Sequence, residues 1–271
     1  HLDGPIIGVI PCEIGASSSF EPFIPAALLG VPIIDAPCDG RAHPLGTMGS
    51  LGLEHCQNYT MQSAAGGKEN TDSYIQIFTQ GTISHTASLI RNSASLAGGA
   101  VAVCRNPVTI DYLNIHGAKG AYTLAEKIGN ILRKSGNSEA GISTILHELG
   151  GKCFCQGKVT DYTLSTHNAL DYGRFTLSGH RISFCNEFMT VEKEGHRQYT
   201  FPDLITAFDA KNCKIISSAE VKNGQSLFLT AVPYENIPLG SGLRNPKHYK
   251  TLEESTHESF VKYLGPLFET H

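Results

Sequence analysis

Short apolar runs broken by Gly- and Pro-containing turns open the chain, and the pattern changes character near residue 150. Pro5 to Pro11, "PIIGVIP", and Val31 to Asp35, "VPIID", are continuous apolar runs of strand length. Between them, "SSSFEPFIPAALLG" places Ser18 and Glu21 at capping-box spacing and Gly30 where a short helix should stop. Strand, helix and strand in that order predict a parallel βαβ unit with a right-handed crossover. A helix over 82–96 leads to a third strand in "GGAVAVCRNP". A further helix over 118–134 carries Leu124, Ile128, Ile131 and Leu132 on one face, with Gly136 beyond its end. Residues 46–68, rich in Gly, Ser and Thr, read as a long loop.

Past Gly150-Gly151 the period becomes two. "GRFTLSGHRISF" alternates Phe175, Leu177, Ile182 and Phe184 around a Ser178-Gly179 hairpin turn. "FMTVEKEGHRQYTF", "LITAFDAKNCKIIS" and "SLFLTAVP" add strands bounded or broken by turn residues. The expected fold is α/β: an N-terminal α/β domain over 1–150 containing the parallel βαβ unit, then a β-rich C-terminal domain over 151–271.

With 271 residues and 41% hydrophobic content the chain can bury a proper core. A net charge of -4 without any run of lysines or arginines leaves no electrostatic footprint for nucleic acid or an anionic membrane. No apolar stretch approaches the roughly 20 residues of a membrane span, and no signal peptide is evident, so the chain reads as soluble and cytoplasmic. Eight cysteines in a chain this long, mostly inside apolar or strand-like segments, read as reduced thiols. "NYT" at Asn58 fits a glycosylation sequon but matters only in a secreted protein. The chain starts at His1, almost directly in a strand, as a processed or trimmed product would.

Candidate chemistry gathers in "IIDAPCDGRAHP". Ligands of open α/β sheets bind outside the carboxyl ends of the strands. The first predicted strand runs out into Cys12-Glu13, the second into Asp35 to Asp39, and the third into Cys104-Arg105-Asn106. If the three are neighbours, their thiols, acids and arginines converge on one edge. Cys38, beside Arg41, has the setting of a nucleophile with His43 as its base, although a small side chain filling tight space, as at Cys12 and Cys104, is the stronger reading. Glu13, Asp35 and Asp39 either hold a divalent metal or move protons, or else Asp35 caps its own turn and Glu13 pairs with Arg41.

Asn186 and Glu187 lie in or beside an apolar strand, where a buried polar pair needs partners, and could reach the site across the domain boundary. Asp203 reads as the cap of a turn after Pro202. Cys153 and Cys155 lack the second pair that a structural zinc site requires, and "HELGG" at His147 lacks the second histidine of a metalloprotease helix. Phosphate-cradling glycine motifs and the Gly-x-Ser-x-Gly elbow are both absent, so nothing requires a nucleotide and an elbow-type serine hydrolase is disfavoured.

"PCEIGASSSFEPFIPAALLGVPIIDAPCDGRAHPLGTMGS", followed by "GRFTLSGHRISFCNEFMTVE" and "FPDLITAFDAKNCKIISSAE", resembles the S-methyl-thiohydantoin desulfurase-like family over nearly the whole chain. The resemblance implies an α/β domain followed by a β-rich one. It also implies hydrolytic attack on a five-membered cyclic imide-like ring or its sulfur substituent. Its marker positions are Glu13, Gly15, Asp35, Gly40, Arg41, Asn186, Glu187 and Asp203. Many relatives have Asn at Ser18 and an Asp-Ala-Asp-Gly run where this chain has Asp35-Ala36-Pro37-Cys38, which removes one acid and adds a thiol. Relatives also usually carry a glycine-rich segment ahead of the Glu-Ile-Gly motif.

The function expected from residues and resemblance together is hydrolysis of a cyclic amide, imide or thioamide in a hydantoin- or thiohydantoin-like small molecule. In that scheme Glu13, Asp35, Cys38, Asp39, Arg41 and His43 are catalytic. Gly15, Gly40, Asn186, Glu187 and Asp203 shape the substrate pocket, and any metal would be a divalent ion on the acids. The alternative is a non-catalytic accessory or ligand-binding subunit of a hydantoinase-like complex, docking through a large exposed apolar patch. The partners expected are the small-molecule substrate and a second copy or a hydantoinase-like subunit.

Overall fold

Pro5, Pro11 and Pro32 have no N–H to give a ladder, and the two N-terminal apolar runs pair accordingly little. In a computed structural model that describes residues 4–56, 60–167 and 170–269, they meet in a single parallel bridge between Val9 and Ile33. Val9 N donates to Pro32 O (3.1 Å) and Ile34 N to Val9 O (3.0 Å). Farther along, Cys38 N donates to Pro11 O (3.1 Å) and Ile14 N to Asp39 O (2.9 Å), so the two segments stay side by side up to the candidate loop. The expected parallel βαβ unit is thus reduced to this irregular pairing. A parallel sheet needs both faces covered, and Ile6 and Ile7 remain 44% and 59% exposed.

The intervening helix forms as α1 (Phe23–Leu29), stopped by Gly30. No side chain caps it; Ser18, the expected capping residue, donates its hydroxyl to Glu13 instead (3.3 Å). Next come α2 (Leu53–Cys56), β1 (Thr60–Gly66), β2 (Ile75–Gly81), α3 (Ile83–Leu96) and β3 (Val101–Arg105). β1 occupies much of the stretch expected as loop. Its small side chains leave little apolar alternation to read, yet it is the central strand of an antiparallel sheet ordered β2-β1-β3. The third predicted strand is therefore real but antiparallel, in a sheet of its own. α3 packs on this sheet, and Gln62 Nε2 donates to Thr86 Oγ1 (2.9 Å) across the contact. Asn58 and His1 lie outside the described residues.

Three helices follow, α4 (Ile110–His116), α5 (Ala121–Ser135) and α6 (Glu139–Glu148). Leu124 and Ile128 of α5 pack against the main core. Eight strands then complete the second sheet: β4 (Lys152–His167), β5 (Leu170–Leu177), β6 (His180–Cys185), β7 (Glu187–Lys193), β8 (His196–Thr200), β9 (Leu204–Asp209), β10 (Ile215–Ile216) and β11 (Ser226–Val232). Their order is β10-β9-β11-β4-β5-β6-β7-β8, antiparallel throughout.

The β5–β6 hairpin turns through Ser178 and Gly179, both at positive φ (47° and 77°), and β7–β8 turns through Glu194 and Gly195 in the same way (51° and 76°). Two consecutive left-handed residues make the turn whose twist matches that of the flanking strands. Phe175 pairs across to Ile182, and both are fully buried in one of the two large cores. The other core gathers α6, the Leu45–Met48 loop, Phe201, and the helices α7 (Pro246–Thr256) and α8 (Gly265–Glu269). Glu54 fastens α7 to the loop before α2: it accepts from Ser50 Oγ (2.6 Å) and Asn245 Nδ2 (2.6 Å) and pairs with His248 Nε2 (2.9 Å).

Candidate active site

The paired segments around residues 11–14 and 38–39 place Cys12 and Cys38 opposite each other, and the Cys38 thiol donates to the Cys12 sulfur. Two cations face the same sulfur. Arg105, at the end of β3, donates from Nη2 at 2.8 Å, and His43 Nε2 stands 3.7 Å away. Close packing shapes the far wall. A Cβ on Gly49 would lie 2.5 Å from Cys12 Sγ and 3.1 Å from His43 Nε2, so only glycine fits behind this contact. Cys12, Cys38 and Arg105 are partly exposed, whereas His43 and Asp39 are buried.

Two carboxylates hold His43. Its backbone N donates to Glu13 Oε2 (3.0 Å), and its Nε2 lies 3.5 Å from Glu13 Oε2 and 3.4 Å from Asp39 Oδ2. Burial alone would strip the proton from His43, but the Cys12 thiolate, Asp39 and Glu13 outweigh it and raise its pKa to about 10. The hydrogen bond from Cys38, with Arg105 and His43, outweighs burial and holds the Cys12 thiol well below its ordinary value. Donating that bond pushes the Cys38 thiol well up, and burial pushes it further. Burial likewise raises Asp39 and Glu13 against the pull of His43. The arrangement favours a thiolate beside a protonated imidazole, the pairing found in activated cysteines.

The other anticipated residues fall into two groups. Gly15 and Gly40 belong to the framework under the cluster: Gly15 N donates to Ser19 Oγ (3.1 Å), and a Cβ on Gly40 would strike the Pro238 carbonyl, to which Gly40 N donates (3.0 Å). Asp35 stands apart at the start of α5, accepting from Tyr122 N (2.7 Å), Thr123 N (3.2 Å) and Thr123 Oγ1 (2.6 Å). It caps that distant helix, not its own turn.

Arg41 is buried, lies over the Phe201 ring (4.4 Å to the centroid), and donates to the carbonyls of Pro202 (2.9 Å), Asp203 (2.6 Å) and Ala42 (3.0 Å). These bonds stitch the N-terminal loop to the turn before β9. Asp203 caps that turn, accepting from Thr200 N (3.2 Å) and Tyr234 N (3.0 Å). Asn186, exposed and at φ 58°, exchanges hydrogen bonds with Asp171 across the sheet. Glu187 reaches the site from β7: burial raises its carboxyl, and it feels the charges of Arg41, Glu13 and His43.

Asp39 Oδ2, His43 Nδ1 and Glu187 Oε2 are buried without a hydrogen-bond partner, and all three belong to this neighbourhood. Buried polar atoms left open in this way mark a place for a water or a polar ligand. Among the described residues, no group of three or more His, Cys, Asp or Glu side chains is disposed as a metal-binding set. The surface grooves along α5 (Glu126, Lys127, Asn130) and beside β4 (Glu139, Cys153, Gln156) are lined by none of the cluster. Cys12 and Arg105 are two central residues that sequence reasoning placed at the converging edge without assigning them a role. The signal was their position, each at the end of an apolar run aimed at one edge.

Two family models cover most of the chain: S-Me-THD-like, N-terminal domain, matches residues 1–74, and S-Me-THD-like, C-terminal domain, matches residues 82–238. No curated protein matches the chain. A structural-genomics crystal structure of a protein from Chromobacterium violaceum superposes with a TM-score of 0.63 over 92% of this chain and 69% of that one, at 16% identity. That likeness is one of fold. No helix among the described residues is long and apolar enough to cross a membrane.

Proposed function

The chain belongs to the S-Me-THD-like family, and from that premise we propose that it acts hydrolytically on a hydantoin- or thiohydantoin-like ring, at a ring carbon or its sulfur substituent, through a covalent step at Cys12. The observation that carries the reading is the Cys12 sulfur held between Arg105 Nη2 (2.8 Å) and His43 Nε2 (3.7 Å). For an S-methylated thiohydantoin, the thiolate adds to the ring carbon that bears the methylthio group. The adduct collapses with loss of methanethiolate, which takes the Nε2 proton of His43. Neutral His43 then draws a proton from water as it attacks the same carbon. The Cys12 thiolate departs and a ring carbonyl remains.

In this scheme Glu13 and Asp39 hold the imidazole for both transfers, and Glu187, whose Oε2 is open, accepts a ring N–H. Cys38 serves as the donor that steadies the thiolate. Arg41 acts through the main chain, keeping the loop on the second sheet.

The test is release of methanethiol from 2-methylthio-imidazolone, followed with a thiol-reactive dye. Turnover should fall at least about 100-fold in Cys12→Ser and His43→Gln, since removing the nucleophile or its proton donor costs that much or more. Turnover untouched in Cys12→Ser sinks the covalent route.

One observation favours an accessory subunit instead. Phe20, Phe23, Ile24, Leu28 and Leu29 form an apolar surface 50–81% exposed around α1. On that reading the pocket binds the ring without turnover, and calorimetry shows binding that survives Cys12→Ser.

A further inference from the structure

The hydrolytic scheme gives the Cys38 sulfur no covalent bond to make, although it donates to an activated thiolate. We infer that Cys12 and Cys38 form a peroxide-reactive dithiol site, oxidised to an internal disulfide and restored by small thiols.

Geometry carries the inference. Cys38 N bonds to Pro11 O (3.1 Å), which sets residue 38 beside residue 12 on adjacent hydrogen-bonded segments. Such segments lie about 5 Å apart, inside the Cα separation that a disulfide spans. The two thiols are close enough to shift each other's ionisation in opposite directions. Both residues are partly exposed, unlike Cys155 and Cys185. Arg105 at 2.8 Å and His43 at 3.7 Å keep Cys12 ionised and the orphaned polar atoms of Asp39 and His43 offer places for peroxide oxygens. Cys155 and Cys185 contrast with Cys12: buried, with thiols pushed up to about 12 by burial, they are poor nucleophiles.

The chemistry balances with a hydroperoxide as oxidant. The Cys12 thiolate attacks one peroxide oxygen and the O–O bond breaks. The leaving hydroxide takes a proton from His43 and departs as water, leaving Cys12 as a sulfenic acid. The Cys38 sulfur then attacks the Cys12 sulfur, the S–O bond breaks, and the Cys38 proton leaves with the hydroxyl as a second water. The two sulfurs together give up two electrons, and the peroxide is reduced. A small thiol reverses the bond by exchange.

This site does not depend on the hydrolase reading, because its readout is covalent mass and not turnover. Wild-type protein is exposed to hydrogen peroxide, its remaining thiols are alkylated, and the protein is digested. No Lys or Arg lies between Cys12 and Arg41, so trypsin leaves both cysteines in the peptide that ends there, while cleavage after Glu13 and Glu21 separates them. The expected result is a tryptic peptide unalkylated and two hydrogens lighter, yielding a linked pair with the Glu-specific protease. It forms before exposed Cys104 and Cys153 oxidise and is lost on adding dithiothreitol. In Cys38→Ser, dimedone should instead trap a sulfenic acid on Cys12. Alkylation of both Cys12 and Cys38 after an exposure that oxidises Cys104 or Cys153 overturns the inference. So does a Cys12 that proceeds to sulfinic acid in wild-type protein while Cys38 stays free. The wild-type measurement decides alone if the variant fails to fold.

Discussion

Replacing His43 by Gln removes one positive charge 3.7 Å from the Cys12 sulfur and leaves the loop nearly isosteric. At that separation two unit charges attract by about 1 kcal/mol in water-like surroundings and about 4 kcal/mol at an effective dielectric near 20. Cys12 is only partly exposed, so the loss falls between those bounds. At about 1.4 kcal/mol per pKa unit, the thiol should rise by roughly one to three units. Glu13 and Asp39 would lose their counter-ion in the same variant, and any charge they keep pushes the thiol in the same direction. Arg105 remains at 2.8 Å and keeps the shift from being larger.

The assay is the rate of Cys12 alkylation by iodoacetamide between about pH 4 and pH 10, read by peptide mass spectrometry, since only the thiolate reacts. Wild-type protein should show a midpoint well below the ordinary thiol value of about 8.5. The His43→Gln midpoint should lie at least about one unit higher. A wild-type midpoint near the ordinary value, or one that neither His43→Gln nor Arg105→Gln moves, would refute the claim that these two cations hold a thiolate.

Three further outcomes test the surrounding structure. Gly49→Ala sets a methyl against Cys12 Sγ and His43 Nε2 and should slow Cys12 alkylation severalfold at neutral pH while the circular dichroism spectrum stays unchanged. Glu54, its carboxyl 12% exposed, is drawn toward a higher pKa by burial, but His248, Ser50 and Asn245 prevail and hold it at about 2 against 4.5 when unfolded. A depressed acid stabilises the fold fully above about pH 4.5, and the stabilisation drains as pH falls toward 2, by roughly 3 kcal/mol at most. Glu54→Gln should therefore lower the melting temperature at pH 7 and flatten its acid limb; equal losses at pH 7 and pH 2.5 would contradict this. Leu227→Ala, at a fully buried position of β11, should cost about 2–5 kcal/mol in urea unfolding through the cavity it leaves.

The β-rich half was legible because its information is local. Alternation at Phe175, Leu177, Ile182 and Phe184 sets which face is buried, and Ser178-Gly179 and Glu194-Gly195 supply the backbone that a two-residue turn requires. Helices α3 and α5 were legible for the same reason, with Thr82 capping the first and Gly136 ending the second. The parallel unit misled because an apolar run states a preference for burial, not a partner, and the prolines beside these runs limit the ladder to one bridge.

By itself, then, the sequence determined helices α1, α3 and α5, the β5–β6 hairpin, the family and the dense loop from Asp35 to His43. It also showed three apolar runs ending in thiols, acids and an arginine. Only the tertiary structure decided which of those groups meet. It drew Asp35 away to cap α5, fastened Arg41 to the main chain at Pro202 and Asp203, and brought Arg105 to Cys12 across 93 positions of chain. The physical reason is that a charge or a thiol acts over a few ångströms of space, whereas periodicity and turn chemistry act over a few residues of chain.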